Sequence, residues 1–349
     1  MLKEEKIKMF NDVFAPKNGE KVLFLIDTPH DEIKDNEIWS DRRVMAKEWF
    51  DTFEEMAQES GFSVSWMEYK ATGLNNTPVP EEVKNAIKNS NLVLAMTEFS
   101  GTSTILPICR NKEGTTRGAS MPGVERRMEK SAFLANYKDV KRYSQSIEKL
   151  LNKSIGAEIQ FSTGDTLYID LRNRKGHADT GDCTTYGQGI NFPSGESYKV
   201  PYEGAPDEVG EFGESKTEGV WPIHEGSEII RCNVKNNKVS DIISNGPKAT
   251  ELRKFFEEND SRRNLAELGI GCNPNAVVTG NVLEDEKVGG LHIAYGLSAH
   301  LGGKVKSDIH QDICYPKGST VEAKTLTLIH EDGTKTELIQ NAELRYDIL

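Results

Sequence analysis

The sequence carries neither common nucleotide-binding loop: no G-x-G-x-x-G and no G-x-x-x-x-G-K-[ST] occurs in its 349 residues. It also lacks H-E-x-x-H and G-x-S-x-G, so neither a zincin nor an α/β-hydrolase is suggested. Cysteine is sparse and odd in number: Cys109, Cys183, Cys232, Cys272 and Cys314, with no C-x-x-C pair. That argues against a disulfide framework and a structural zinc ribbon. Positive charge is in deficit. Lys plus Arg number 43 against 55 Asp plus Glu, for a net charge of −12. No nucleic-acid partner is expected, because phosphate binding needs a basic face. No run approaches the ~20 apolar residues of a membrane span. The first residues, MLKEEKIKMFNDVF, read as a charged helix with no apolar h-region, and the reducing cytoplasm is the expected compartment.

What is present supports a substantial core. Hydrophobic residues make up 36% and charged residues 28% of the chain. At roughly 100–200 residues per domain, two domains are expected. The apolar run Val22-Leu23-Phe24-Leu25-Ile26 reads as a buried parallel strand. A helix follows over about 39–59, with Val44, Trp49, Phe50, Phe53 and Met56 as its apolar face and Gly61 as its stop. Phe62–Tyr69 reads as a strand. Pro80-Glu81-Glu82 opens a helix with proline in its first turn, and 91–96 forms a third strand. This β-α-β-α-β order predicts a doubly wound, Rossmann-like parallel sheet over 1–125. Residues 126–153 read as a charged helical connector. From 154 to 349 the pattern becomes a β-rich, mixed α+β domain. Hairpins are expected around Ser162-Thr163-Gly164-Asp165 and Glu331-Asp332-Gly333, and a helix near Lys248–Asn259.

The chemistry-bearing residues lie in this second half. In a strand, His310 and Asp312 point to the same face, presenting an imidazole beside a carboxylate. That pair is a common seed for a divalent metal site. His292 stands among apolar neighbours in Leu-His-Ile-Ala-Tyr-Gly, where a buried core histidine is the plainer reading. Glu267 lies in the apolar, glycine-rich Ala-Glu-Leu-Gly-Ile-Gly, where burial without a partner is costly. A metal resolves that cost, and so does Arg262 or Arg263. Glu196 follows a Pro-Ser-Gly turn. Taken together, two histidines and three carboxylates suit one or two divalent ions. Cys314 is a further thiol beside them, with no organised base in view.

Four blocks in this order resemble the aminopeptidase T/aminopeptidase S family of metallo-aminopeptidases. Asn191–Glu196 with Tyr198 and Val200-Pro201 resembles its N-x-P-[ST]-G-E-x-[FY]-x-x-P segment. Glu267–Pro274 resembles its E-L-G-I-G-T-N-P segment. Leu283-Glu284-Asp285-Glu286-Lys287 with His292–Gly296 resembles a third block, and Ser307–Asp312 its final H-x-D. Residues 116–123 extend the likeness into the first half. The resemblance implies metal ligands at Glu196, Glu267, His292, His310 and Asp312. The family places a tyrosine ligand seven residues after His292, where this chain has Ala299; either the adjacent His300 substitutes for it, or that ligand is absent and His300 is an exposed loop residue.

The resemblance further implies a homodimer and hydrolysis at the amino end of a peptide substrate by two divalent ions, zinc, cobalt or manganese. Glu196 and Glu267 are the candidate general bases. Related chains on the same scaffold resemble dihydroxypyridine dioxygenases, which hold one iron with two histidines and an aspartate. These have a histidine where this chain has Glu267, and none at the His292 position. The expectation therefore ranks a two-metal hydrolase first, with an iron ring-cleaving dioxygenase and a catalytically silent relative as alternatives.

Overall fold

The computed structural model describes residues 1–349, which form two compact units. The first comprises Met1–Lys141, Asp179–Gly195 and Asn273–Glu284. The second comprises Arg142–Ala178, Glu196–Cys272 and Asp285–Leu349. The sequence divides the chain into contiguous stretches; in the structure the chain returns twice to its first unit.

The first unit is built on a five-stranded parallel sheet. Its spatial order is Ser63–Lys70, Lys21–Thr28, Leu92–Met96, Arg117–Ser120 and Gly189–Asn191. Side chains alternate along a strand, so a strand buried on both faces feeds two cores. Val22, Phe24 and Ile26 enter one cluster with Phe10, Trp49 and Phe53 of the helices Lys3–Val13 and Glu37–Ser60. Leu23 and Leu25 enter the other with Val83, Ile87 and Ile105 of the helices Glu81–Lys88 and Thr102–Cys109. The sheet is thus doubly wound, as the alternating pattern predicts. The long helix starts where Asn36 accepts the Trp39 amide and stops where Gly61 turns left-handed at φ 75°. Val44 is not on its inner face; it is 53% exposed, and Met45 and Ala46 are buried instead. Pro80 caps the next helix rather than entering its first turn.

The second unit stacks two sheets. One has eight strands, including both expected hairpins: Ser154–Phe161 with Thr166–Asp170, and Ala323–His330 with Lys335–Gln340. The other has five, in the order His310–Cys314, Gly290–Gly296, Leu265–Gly271, Glu196–Lys199, Gly176–Asp179. One continuous core contains Leu268, Ile270, Leu291 and Ile293 of the smaller sheet and Ile159, Trp221 and Leu326 of the larger. The helix near 248–259 is Pro247–Glu258. Of the expected connector, only Tyr137–Lys153 is α-helical; two short 3-10 turns precede it.

One buried ion pair secures the first unit. Arg117 is fully buried and grips Glu20 with two parallel bonds of 2.7 and 2.8 Å. Its remaining donors reach the Cys183 carbonyl at 2.8 Å and the Phe14 carbonyl at 3.0 Å. Burial alone would raise the Glu20 pKa, but the guanidinium outweighs it and holds the carboxyl below its usual range. Replacing Arg117 with leucine strands a buried carboxylate and the carbonyls of Cys183 and Phe14. Chemical denaturation of Arg117→Leu should show a loss of about 3–5 kcal/mol; a loss within about 1 kcal/mol, the size of an exposed pair, would refute this account.

Candidate metal centre

The site lies on the polar face of the smaller sheet of the second unit, and a β-bulge sets it up. Leu265 pairs with Tyr295, but Glu267 pairs with Ala294, so the register shifts by one residue between them. Leu265 then shares the core with Leu268 and Ile270, while Glu267 turns to the opposite face. The neighbouring strands present their residues on that same face by simple alternation. Leu291 and Ile293 enter the core, leaving His292 on the other side. Ile309 and Ile313 pack against the core, leaving His310, Asp312 and Cys314 opposite. Ser197 and Lys199 bond to the carbonyls of Ser144, Leu151 and Ser154, leaving Glu196 and Tyr198 on the site face.

Five of the six sequence-derived residues come together there. His292 Nε2 lies 3.4 Å from Glu196 Oε2 and 3.3 Å from Glu267 Oε1. His310 Nε2 lies 3.3 Å from Glu267 Oε2 and 3.6 Å from Asp312 Oδ1. Two trios result, Glu196–Glu267–His292 and Glu267–His310–Asp312, and they share Glu267 through its two separate oxygens. Donors bound to one tetrahedral ion at about 2.0–2.2 Å stand about 3.4 Å apart, so these spacings suit a metal in each trio. The donor set fits as well: imidazole nitrogens with carboxylate oxygens, the first trio buried and the second partly so.

His300 stands outside both trios. It is exposed, and its ring meets that of His310 edge-on with centroids 4.9 Å apart. The arginines offered as partners for Glu267 go elsewhere. Arg262 binds Asp308 and Glu258, and Arg263 lies by Asp260 and the Val239 carbonyl. Ion pairs with those nearer carboxylates keep the guanidiniums away from the site.

The electrostatics follow from packing charges into a small buried volume. Burial alone would depress the His292 pKa; the Glu267 hydrogen bond and the Glu196, Glu267 and Asp312 charges lift it to about 9. His310 is likewise driven well above its ordinary value, against burial, by Asp312 and Glu267. Burial would raise Glu267, but the two histidines hold it far below the usual carboxylate range. Cys314 is pushed well above the usual thiol range by burial and by Asp312, Glu286, Asp285 and Glu196. Burial and these negative charges disfavour the thiolate, the nucleophilic form.

A second layer orients the donors. His310 Nδ1–H donates to the Leu297 carbonyl at 2.7 Å, which fixes the ring and turns Nε2 toward Glu267 and Asp312. Lys287, wholly buried, joins Glu196 Oε1 at 2.5 Å and Glu286 Oε1 at 2.6 Å. Glu286 is itself raised to about 8, first by burial and then by Glu196 and Asp312, with Lys287 opposing. Sequence reasoning assigned no role to Glu286 and Lys287, although two charges just before an apolar strand were a visible signal. It also passed over His177, whose ring stacks on Tyr198 at 5.4 Å.

The glycines of this strand have a steric cause. Gly269 sits opposite His292, and a Cβ there would stand 1.8 Å from His292 Nε2. At Gly271 a Cβ would meet the Val288 and Glu286 carbonyls at 2.2 and 2.5 Å. The atom that Gly269 must avoid is the end of a side chain, so the fold can survive its loss by turning His292 away. Gly269→Ala should therefore keep a native circular dichroism spectrum while binding less metal than the unaltered protein by elemental analysis. Full metal content in this variant would separate His292 from the site.

No family model matches the chain, and no curated protein matches it. Among solved structures, its fold is similar to that of 2,5-dihydroxypyridine dioxygenase from Pseudomonas putida KT2440. The TM-score is 0.70 at 15% identity, covering 99% of this chain and 98% of that one. It is also similar to wild-type AmpT from Thermus thermophilus, with a TM-score of 0.60 at 14% identity, covering 98% of each chain. The chain has the α/β fold of these two enzymes, with a parallel five-stranded sheet first and antiparallel, β-rich sheets after it, and it gathers buried His and Glu groups that could bind metal.

Proposed function

We propose that this protein is a two-metal hydrolase that removes residues from the amino end of peptides. The observation that carries the proposal is the position of Glu267, whose two oxygens each face a different histidine in a different trio. A single ion leaves one trio without a purpose, whereas a carboxylate bridge uses both. Glu196, Glu267 and His292 would hold one ion, and Glu267, His310 and Asp312 the other. Zinc, cobalt or manganese suit these donors. Such ions supply a hydroxide near neutral pH and a Lewis acid for the scissile carbonyl.

The chain's own residues divide the remaining work. Glu196 is fixed at both oxygens, by Lys287 and beside His292, and Glu267 is fixed between two histidines. Both of the sequence-derived base candidates are thus spent on holding ions. Glu286 is the neighbouring carboxyl outside both trios, and we assign it the transfer of the proton. His300, beside His310, is the sixth donor in this reading, replacing the family's tyrosine. The likeness to AmpT supports the peptide substrate; a homodimer is part of this reading, with light scattering as its check.

The dioxygenase reading has its own support, the higher TM-score of 0.70. It requires only His310, Asp312 and one further ligand, and gives no role to the buried Glu196–His292 pair. Elemental analysis and assays separate the two. Two zinc-like ions per chain and release of leucine from leucyl peptides are expected. His292→Ala and His310→Ala should each keep one ion, Glu267→Ala should keep none, and His300→Ala should weaken binding without abolishing it. Glu286→Gln should keep both ions and lower kcat about 10²-fold or more. One iron per chain with oxygen-dependent loss of a dihydroxypyridine would replace this reading with the dioxygenase.

A further inference from the structure

The His310–Cys314 strand is the outermost strand of the five-stranded sheet, paired on one side only. Its phase is fixed at both ends. The Leu297 N–H donates to the Ile309 carbonyl at 2.7 Å, and the Tyr315 N–H donates to the Leu291 carbonyl at 2.7 Å. In an antiparallel ladder the bonded residues alternate. Ile309, Gln311, Ile313 and Tyr315 therefore turn their main chain inward, toward the Gly290–Gly296 strand. His310, Asp312 and Cys314 turn theirs outward.

Within the chain, nothing takes the outward N–H groups of His310, Asp312 and Cys314 or the outward carbonyls of His310 and Cys314. The Asp312 carbonyl accepts only from the side-chain amide of its neighbour Gln311, at 3.1 Å. All five residues of this strand are half-buried, whereas every residue of the next two strands is buried. Sheet edges are ordinarily blunted by lysine, proline or a bulge. His-Gln-Asp-Ile-Cys contains no lysine or proline, and its pairing runs without a register shift.

We propose that this edge is the rail on which the peptide substrate binds, adding to the sheet as an extended strand. The inference rests on the hydrolase reading above and names how that site holds its substrate. The argument is one of continuity. The side chains of His310 and Asp312 leave the strand on the site face, while their N–H groups leave by the edge. A strand added here runs about 4.8 Å from residues that would hold an ion. An extended peptide offers the alternating N–H and C=O groups that such an edge lacks. Recognition of this kind reads main chain rather than side chains, so residues beyond the first are accepted with little regard to sequence.

The test uses the metal-loaded protein and leucyl peptides lengthened one residue at a time. A second set carries one N-methyl group, moved stepwise along the amides beyond the scissile bond. KM should fall with length until the edge is covered. N-methylation should raise KM about three- to tenfold at alternate amides and little at those between, the worth of one or two main-chain hydrogen bonds. Hydrolysis with KM indifferent to length and to methyl position overturns the rail and leaves the hydrolase reading standing. Absence of hydrolysis for every leucyl peptide overturns both.

Discussion

The buried carboxylate of Glu267 is the constraint around which the second unit is arranged. It is 5% exposed. A carboxylate so placed costs several kcal/mol of lost hydration unless opposite charge or a metal meets it. Here each oxygen faces an imidazole nitrogen at 3.3 Å. The same carboxylate keeps both histidines basic, and both histidines keep it acidic. A divalent ion held in either trio would take the place of the imidazole proton, and its uptake at neutral pH would displace protons from these rings. The protonated cluster and the metal-bound cluster are two ways of satisfying one electrostatic requirement.

Backbone geometry makes that cluster possible. Without the register shift after Leu265, Glu267 would point with Leu265 into the apolar core. The absence of a side chain at Gly269 leaves room for the His292 ring, and the absence of one at Gly271 lets the Glu286–Val288 main chain approach. That approach belongs to the segment that carries Lys287 to Glu196. The Leu297 carbonyl then fixes the remaining rotor, His310. Apart from the Lys287 side chain, each support is a main-chain or steric feature.

The first unit solves a different problem, the packing of a sheet that is buried on both faces. Its aromatic cluster is dense, with Phe10, Phe24, Phe53 and Trp49 meeting at centroid distances between 4.6 and 5.3 Å. Arg117 supplies the polar counterpart, gathering a carboxylate and main-chain carbonyls from segments far apart in sequence. Its fork satisfies several acceptors at once, which a lysine could not reproduce. The sheet therefore depends on one bidentate pair as well as on apolar burial.

The sequence by itself determined the parallel arrangement of the first sheet, the stop of the long helix, and both hairpins. Each is written in local periodicity or turn chemistry: Val22–Ile26, Gly61, and Glu331-Asp332-Gly333. It also singled out Glu267 by the cost of burying it alone and His310 with Asp312 by strand alternation, while the full set with Glu196 and His292 came from the resemblance of four segments to a metallo-aminopeptidase family. The tertiary structure alone decided that Glu267 faces both histidines, one with each oxygen. It placed Gly189–Asn191 in the first sheet, turned Glu267 out of the core and sent Arg262 to Asp308. It also left the His310–Cys314 strand at an edge. The physical reason is common to all of them. Which strand lies beside which, and in what register, is set by pairing between distant segments, whereas local patterns record only which face each residue will take.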